Sequence, residues 1–250
     1  MNLEPAAQLP MVSICTPTRD RPAFLSLLLR CLLQQTYPAS RMEWVVIDDG
    51  TTSCESICTQ FPNTRYLRMD PEAAPIPLGR KRNLSHQAAQ GGILVYMDDD
   101  DYYPPRRVAH AVERLLANPG RLLAGSSVLP IYFPDRQEAW MFGPYGPNHA
   151  TAATFAFRRD LLKLTSYDEE ARHAEERHFL KDYTLPMVQL ESTQTILAIS
   201  HPGNTFDKRQ HLRDPAQRKT IRRAAWKLNK FIVDPELREA YLAAAGQPTP

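Results

Sequence analysis

The stretch ILVYMDDDDYYPP, Ile93 to Pro105, sets four consecutive aspartates against a run of apolar and aromatic residues. A run of that length and composition reads as a buried strand, which puts Asp98 to Asp101 where the strand leaves its sheet. Four adjacent carboxylates repel one another, and taking even one out of water is costly without a cation or hydrogen-bond donors. Two readings fit: a cation site, or an acidic turn ahead of a helix that Pro104 and Pro105 start. The rest of the chain has to decide.

Upstream, strand-like and helix-like segments alternate with short connections. MVSICT reads as a strand, Pro22 to Gln35 as a helix, EWVVIDD as a strand and the region of Cys54 as a short helix. A strand near TRYLRM, a helix from Leu78 to Gln90 and the strand ILVYM complete the progression. This alternation predicts a parallel sheet with helices on both faces and a ligand at the carboxyl ends of the strands. Two strands end in acid, at Asp48 and Asp49 and at Asp98 to Asp101, so distant clusters converge on one crevice. Between them Gly79 opens a helix whose first turn carries Arg80, Lys81 and Arg82. Cations oppose the helix dipole there, which points to a held anion.

Composition bounds the alternatives. A chain of 250 residues with 43% hydrophobic content supports one large domain or two small ones. The formal net charge of +2 excludes nucleic-acid binding driven by bulk electrostatics. The most apolar segment, FLSLLLRCLLQ, is short and interrupted by Arg30, so a soluble, cytoplasmic protein is expected. Cys15 and Cys31 read as buried thiols. Cys54 and Cys58 share a helical face, but no second Cys or His pair completes a zinc site. After Pro130 the sequence turns to aromatics, prolines and short strand-like pieces, with VQLESTQTILAISH reading as a strand pair.

Six pieces, SICTPTRDRPAFLSLLLRCLLQQTYP, EWVVIDDGT, GRKRNLS, VYMDDDDYYPP, ATAATFAFRR and AEERHFLKDY, occur in the order seen in the inverting glycosyltransferases of family 2, which the chain resembles over about residues 11 to 207. The resemblance implies an α/β GT-A fold: one Rossmann-like domain with a mostly parallel central sheet, helices on both faces and a C-terminal helical tail. Its parts would be an N-terminal extension (1–10), a nucleotide-sugar-binding half (11–129), an acceptor-binding half (130–210) and the tail (211–250).

By the same resemblance Thr16, Pro17 and Arg19 line the nucleotide pocket, with Asp48 facing the base and Asp49 beside it. Arg80, Arg82 and Asn83 lie near the diphosphate. In the family's Asp-x-Asp motif, here Asp98, Asp99 and Asp100, the first acid meets the ribose and the last coordinates Mn²⁺ or Mg²⁺, metals that suit hard oxygen ligands. Asp101 is then left to cap the next helix. His201 is the candidate third metal contact. The general base comes from Glu175 and Glu176, where the family has Glu-Asp, and the choice between the two stays open.

The loop FGPYGPNHATAA would meet the acceptor through Tyr145, Asn148 and His149. The expected donor is a nucleotide-diphosphate sugar, with uridine the default base, and the expected acceptor a hydroxyl of a glycan or lipid-linked molecule. Ile221, Ala225, Leu228 and Ile232 fall on one face of a predicted tail helix. That helix packs on its own domain or a second copy, with peripheral membrane contact as the alternative. Two rival functions are a sugar nucleotidyltransferase, disfavoured by the glycine-free TPTRDRP loop, and a non-catalytic binding module, disfavoured by the intact acid sets.

Overall fold

Runs such as VSICTPT and MEWVVID bury nearly every residue, as strands covered on both faces must. The computed structural model describes residues 8–172, 174–204, 208–213 and 219–246; most of the expected N-terminal extension lies outside these. The chain opens with β1 (Val12–Thr18), α1 (Pro22–Leu33), β2 (Met42–Asp48), α2 (Glu55–Cys58), β3 (Thr64–Arg68), α3 (Leu78–Ala88) and β4 (Ile93–Tyr96). It continues through α4 (Arg107–Leu116), β5 (Leu123–Gly125), β6 (Leu129–Phe133), β7 (Glu138–Phe142), β8 (Ala156–Arg158) and α5 (Glu176–Phe179). The last elements are β9 (Met187–Gln189), β10 (Ala198–Ile199), α6 (Arg209–Arg213), β11 (Ile221–Arg223) and α7 (Pro235–Gly246).

The central sheet has seven strands in the order β3-β2-β1-β4-β8-β5-β9, and only the pairings of β8 are antiparallel. Side-chain alternation splits its core. Ile14, Trp44, Val46, Ile93 and Val95 pack against α1 and α4 on one face. Cys15, Val45, Leu94 and Tyr96 face the other side with Phe155, Phe157, Tyr167 and Phe179. Helices thus cover both faces. The register places Thr18 beside Asp48 and Cys15 beside Tyr96, so β1, β2 and β4 end together and bring both acidic clusters to one edge.

A second sheet, β10-β6-β7-β11, is built from residues after 128. The expected strand pair in VQLESTQTILAISH is therefore two strands in different sheets, β9 and β10, separated by a 3-10 turn at Ser192–Gln194. All four cysteines are free and buried. No helix among the described residues is long and apolar enough to cross a membrane.

The tail differs from the sequence expectation. Ile221 to Arg223 do not start a helix; they pair antiparallel with β7, Ile221 opposite Phe142 and Arg223 opposite Trp140. The open edge of the β6–β7 hairpin offers those residues a ladder of hydrogen bonds, which outweighs an apolar stripe at helical spacing. Leu228, in a 3-10 turn over Leu228–Lys230, and Ile232, just beyond it, are still buried. The helix comes later, where Pro235 begins α7 and Asp234 Oδ1 accepts the N–H groups of Glu236 and Leu237 at 2.9 and 3.3 Å. It packs on its own domain against α1, with the Tyr241 hydroxyl 3.4 Å from Cys31 Sγ and donating to the Asp101 carbonyl at 3.1 Å.

Candidate active site

Each aspartate of the tetrad faces a different set of donors, which is how the fold tolerates four in a row. Asp98 accepts two bonds from the Arg82 guanidinium, both 3.0 Å. Asp99 accepts from Thr18 Oγ1 at 2.7 Å and from Arg21 at 3.0 Å. On Asp100 Oδ2 three donors converge: Arg21 at 2.8 Å, His201 Nε2 at 3.1 Å and Asn204 Nδ2 at 3.2 Å. Burial pushes the Asp99 carboxyl up to about 6 against the opposing pull of Arg21. For Asp100 burial acts the same way, but Arg21 and His201 outweigh it and hold the carboxyl well below the ordinary range.

Asp101 corrects an expectation. It does not cap α4, whose N-cap is Arg106 with no side-chain cap bond. It lies buried with Oδ1 accepting the Ile199 N–H at 3.3 Å, and burial together with Asp100 raises its carboxyl far above the usual range. Behind the acids sits a residue that sequence reading missed. Arg107 is fully buried, donating to the carbonyls of Tyr96 and Phe155 at 3.2 and 2.8 Å, and burial lowers it to about 10.

A cavity of about 470 Å³ opens at the strand ends, lined by Pro17, Thr18, Arg19, Arg21, Lys81 and Asp98 to Asp100 among others. Pro17 and Arg19 thus face this cavity. Thr16 is not: it lies beneath, donating to the Met97 carbonyl at 2.7 Å and accepting from Trp44 Nε1 at 2.9 Å. Asp48 is likewise consumed, accepting from the N–H groups of Gly50 and Cys54 and from the Tyr66 hydroxyl and forming an ion pair with Arg68, so its carboxylate shapes a turn. Asp49 joins that turn to the next loop through the Ile76 N–H at 2.8 Å and through ion pairs with Arg19 and Lys81.

In α3 the roles shift by one residue. Arg80 is exposed, whereas Lys81 and Arg82 are buried against acid. Successive helical residues point about 100° apart, so docking one side inward turns the neighbour out. Asn83 makes no wall of this cavity; its amide clasps the Tyr167 backbone, donating to O and accepting from N at 3.0 Å each. The basic turn thus neutralises protein acids before any ligand arrives.

Arg82 also sets the two glutamates apart. Its Nε donates to Glu175 Oε1 at 2.9 Å, so Glu175 is fixed to the guanidinium that holds Asp98. Glu176, the first residue of α5, has no hydrogen-bonding or ion-pairing side-chain partner among the described residues. Burial and the adjacent Glu175 push its carboxyl up to about 7.

Glu176 stands between two further cavities. One, about 190 Å³, shares Asp98 and Asp100 with the first; the other, about 540 Å³, is walled by Leu129, Ile131, Phe142, Tyr145 and His149. His149 lies between the Tyr145 and Tyr183 rings, 4.8 Å from each centroid. Asn148 does not line the apolar cavity, although its neighbour His149 does.

His201 reaches Asp100 because the turn after β10 folds back over the tetrad. Its Nδ1 accepts the Gly203 N–H at 3.2 Å and its ring lies 4.5 Å from Phe24. No group of three or more His, Cys, Asp or Glu side chains among the described residues could hold a metal ion. The 3.1 Å between Asp100 Oδ2 and His201 Nε2 is nevertheless about the separation of neighbouring ligands around a six-coordinate ion with ~2.1 Å bonds. Two protein ligands suffice where phosphate and water complete the shell.

The sequence profile of Glycosyl transferase family 2 matches residues 13–163. The chain is 27% identical over 216 residues to the putative colanic acid biosynthesis glycosyl transferase WcaA of Escherichia coli, covering 77% of this chain and 74% of that protein. In structure it resembles Staphylococcus aureus TarS in complex with UDP-GlcNAc, with a TM-score of 0.59 and 21% identity, over 78% of this chain and 60% of that one. It also resembles a mannosyltransferase from Pyrobaculum calidifontis in complex with GDP-Man and Mn²⁺, with a TM-score of 0.62 and 17% identity, over 96% and 70%. At these identities the structural likenesses establish the GT-A fold.

Proposed function

The chain belongs to glycosyl transferase family 2 and is a glycosyltransferase, and we propose that it is a metal-dependent, inverting one that moves a sugar from a nucleotide diphosphate to an acceptor hydroxyl. The observation that carries this reading is the position of Glu176: half-buried, uncommitted, and shared by the apolar cavity and the small cavity that has Asp98 and Asp100 in common with the charged one.

In the charged cavity Arg19, Arg21 and Lys81 surround the space where a diphosphate would lie. Asp100 and His201 would hold Mn²⁺ or Mg²⁺, which would neutralise charge on the departing diphosphate. UDP-GlcNAc and GDP-Man are bound by the TarS and Pyrobaculum proteins respectively, which supports a nucleotide-sugar donor here. A UDP-sugar is the first to try.

The reaction is a single displacement. A Glu176 carboxylate oxygen takes the proton of the acceptor hydroxyl as the hydroxyl oxygen bonds to the sugar's anomeric carbon. The bond from that carbon to the diphosphate breaks on the opposite face, and its electron pair leaves with the diphosphate. A carboxyl near 7 is suited to this, since an effective base has a pKa close to the working pH. Glu175 keeps Arg82 and Asp98 in place.

The wall of Leu129, Ile131 and Phe142 favours an acceptor whose hydroxyl sits beside an apolar body, as in a lipid-linked or aryl-linked glycan. The test is incubation with a panel of nucleotide sugars and Mn²⁺. Release of nucleoside diphosphate, accelerated by alkyl or aryl glycosides, supports the reading; pyrophosphate exchange, or binding with no turnover across the panel and an acceptor library, refutes it.

A further inference from the structure

Arg21 lies across the acid tetrad in a way the reaction just described does not require. One nitrogen, Nη1, donates to Asp99 Oδ1 at 3.0 Å and to Asp100 Oδ2 at 2.8 Å, while Nη2 donates to the Gly203 carbonyl. The side chain is mostly buried, so these contacts are made out of bulk water. Three segments meet on one guanidinium: the loop after β1, the tetrad after β4 and the turn after β10.

Asp100 Oδ2 is also the oxygen that meets His201, so the fixed cation occupies the carboxylate on which a divalent ion would depend. Two cations a few ångströms apart in a partly buried site repel, at an effective dielectric near 20, far more strongly than they would in water. Arg21 and a metal ion therefore exclude each other at full strength.

We propose that Arg21 is an internal surrogate for the divalent cation: it neutralises Asp99 and Asp100 while the site is empty, and passes to the incoming diphosphate when the ion takes Asp100. This rests on Asp100 and His201 being cation ligands. Arg21 lines the charged cavity beside Arg19 and Lys81, so an anion there lies within its surroundings. Its planar fork suits phosphate oxygens as well as carboxylate ones. The diphosphate gives Arg21 a new partner and frees Asp100, so cation and nucleotide strengthen one another's binding, reciprocally and by the same factor. Arg21 is a positioning residue in this account: it sets the order and coupling of binding, and contacts no reacting atom.

The experiment is a Mn²⁺ titration of the full chain followed by electron paramagnetic resonance, with and without UDP or GDP, for the parent, Arg21→Gln and Arg21→Lys. Without nucleotide, the parent is expected to bind Mn²⁺ weakly and Arg21→Gln at least about tenfold more tightly, because the competing charge is gone. Nucleotide should tighten the parent's Mn²⁺ binding about tenfold or more, and that of Arg21→Gln distinctly less. Arg21→Lys keeps the charge without the two-pronged reach and should fall between. Equal Mn²⁺ affinities and equal nucleotide effects in parent and variants would overturn the surrogate role while leaving the cation site standing. Absence of Mn²⁺ binding from every protein, with either nucleotide, would remove the cation site itself and the inference with it. Should Arg21→Gln fail to fold by circular dichroism, Arg21→Lys carries the comparison, and parent-like affinity and coupling in that variant would overturn the proposal.

Discussion

Replacing Glu176 with Gln should make the protein more stable and much less active, a combination that few positions allow. Its carboxyl is raised to about 7 from an ordinary 4.5 by burial and by Glu175. The folded protein therefore holds that proton more tightly than the unfolded chain does. Ionising the group costs stability; the cost is absent below about pH 4.5, grows as pH rises and is complete above about 7. At 1.36 kcal/mol per tenfold the difference corresponds to about 3 kcal/mol, and partial exposure reduces it to ~1–3 kcal/mol. Glu176→Gln removes the charge and nearly preserves the shape, so at pH 8 its melting temperature should exceed the parent's by about 3–8 °C, with no difference at pH 4.5. Turnover should fall roughly 10²-fold or more, with nucleoside diphosphate affinity unchanged. Paired thermal melts at the two pH values, with single-turnover rates, provide the assay. Glu175→Gln is the control of opposite sign, because it deprives buried Arg82 of a partner and should destabilise. A stability difference independent of pH, or full activity in Glu176→Gln, would refute the assignment.

Four further outcomes follow from the geometry. The pH profile of kcat/KM should rise through about pH 7 as Glu176 loses its proton and flatten above it; a flat profile from pH 5.5 to 8.5 would contradict this. Asp100→Ala should abolish the metal dependence of nucleotide binding in a thermal-shift assay, whereas Asp101→Asn, at a buried side chain that accepts the Ile199 N–H and meets neither Arg21 nor His201, should leave it intact. Arg82→Lys cannot keep two bonds to Asp98 and one to Glu175, so chemical denaturation should show a loss of about 2–4 kcal/mol. Gly79→Ala would set a Cβ 2.0 Å from the Asp168 carbonyl oxygen, displacing the segment before Glu175, and should lower both stability and activity.

The sheet was legible because strands covered on both faces are written as near-continuous apolar runs, and β1, β2 and β4 all are. Their acidic ends gave the crevice, since parallel strands share one carboxyl edge. What escaped sequence reading depends on long-range docking. Whether Arg80 or Lys81 turns inward follows from how α3 seats against the Asp168 to Ala171 segment, and the backbone bond from Gly79 to Ala171 is invisible in a helical pattern. The period of Ile221, Ala225, Leu228 and Ile232 suits a helix, yet the edge of β7, with Phe142 opposite Ile221, lies far upstream in the sequence and takes the first of them as a strand. That Glu175 is tied down and Glu176 is not depends on the position of Arg82, 93 residues before its partner. Arg21 is read as a loop residue until Asp99, Asp100 and Gly203 are seen around it.

The most direct test of a single displacement at Glu176 is the configuration of the product. With the donor sugar identified from the nucleotide-sugar panel and an alkyl or aryl glycoside as acceptor, proton NMR of the freshly formed linkage reads the anomeric centre. One attack from the face opposite the diphosphate predicts inversion, an α-linked donor giving a β-linked product, with the signal lost in Glu176→Gln. A product that retains the donor's configuration would contradict the account.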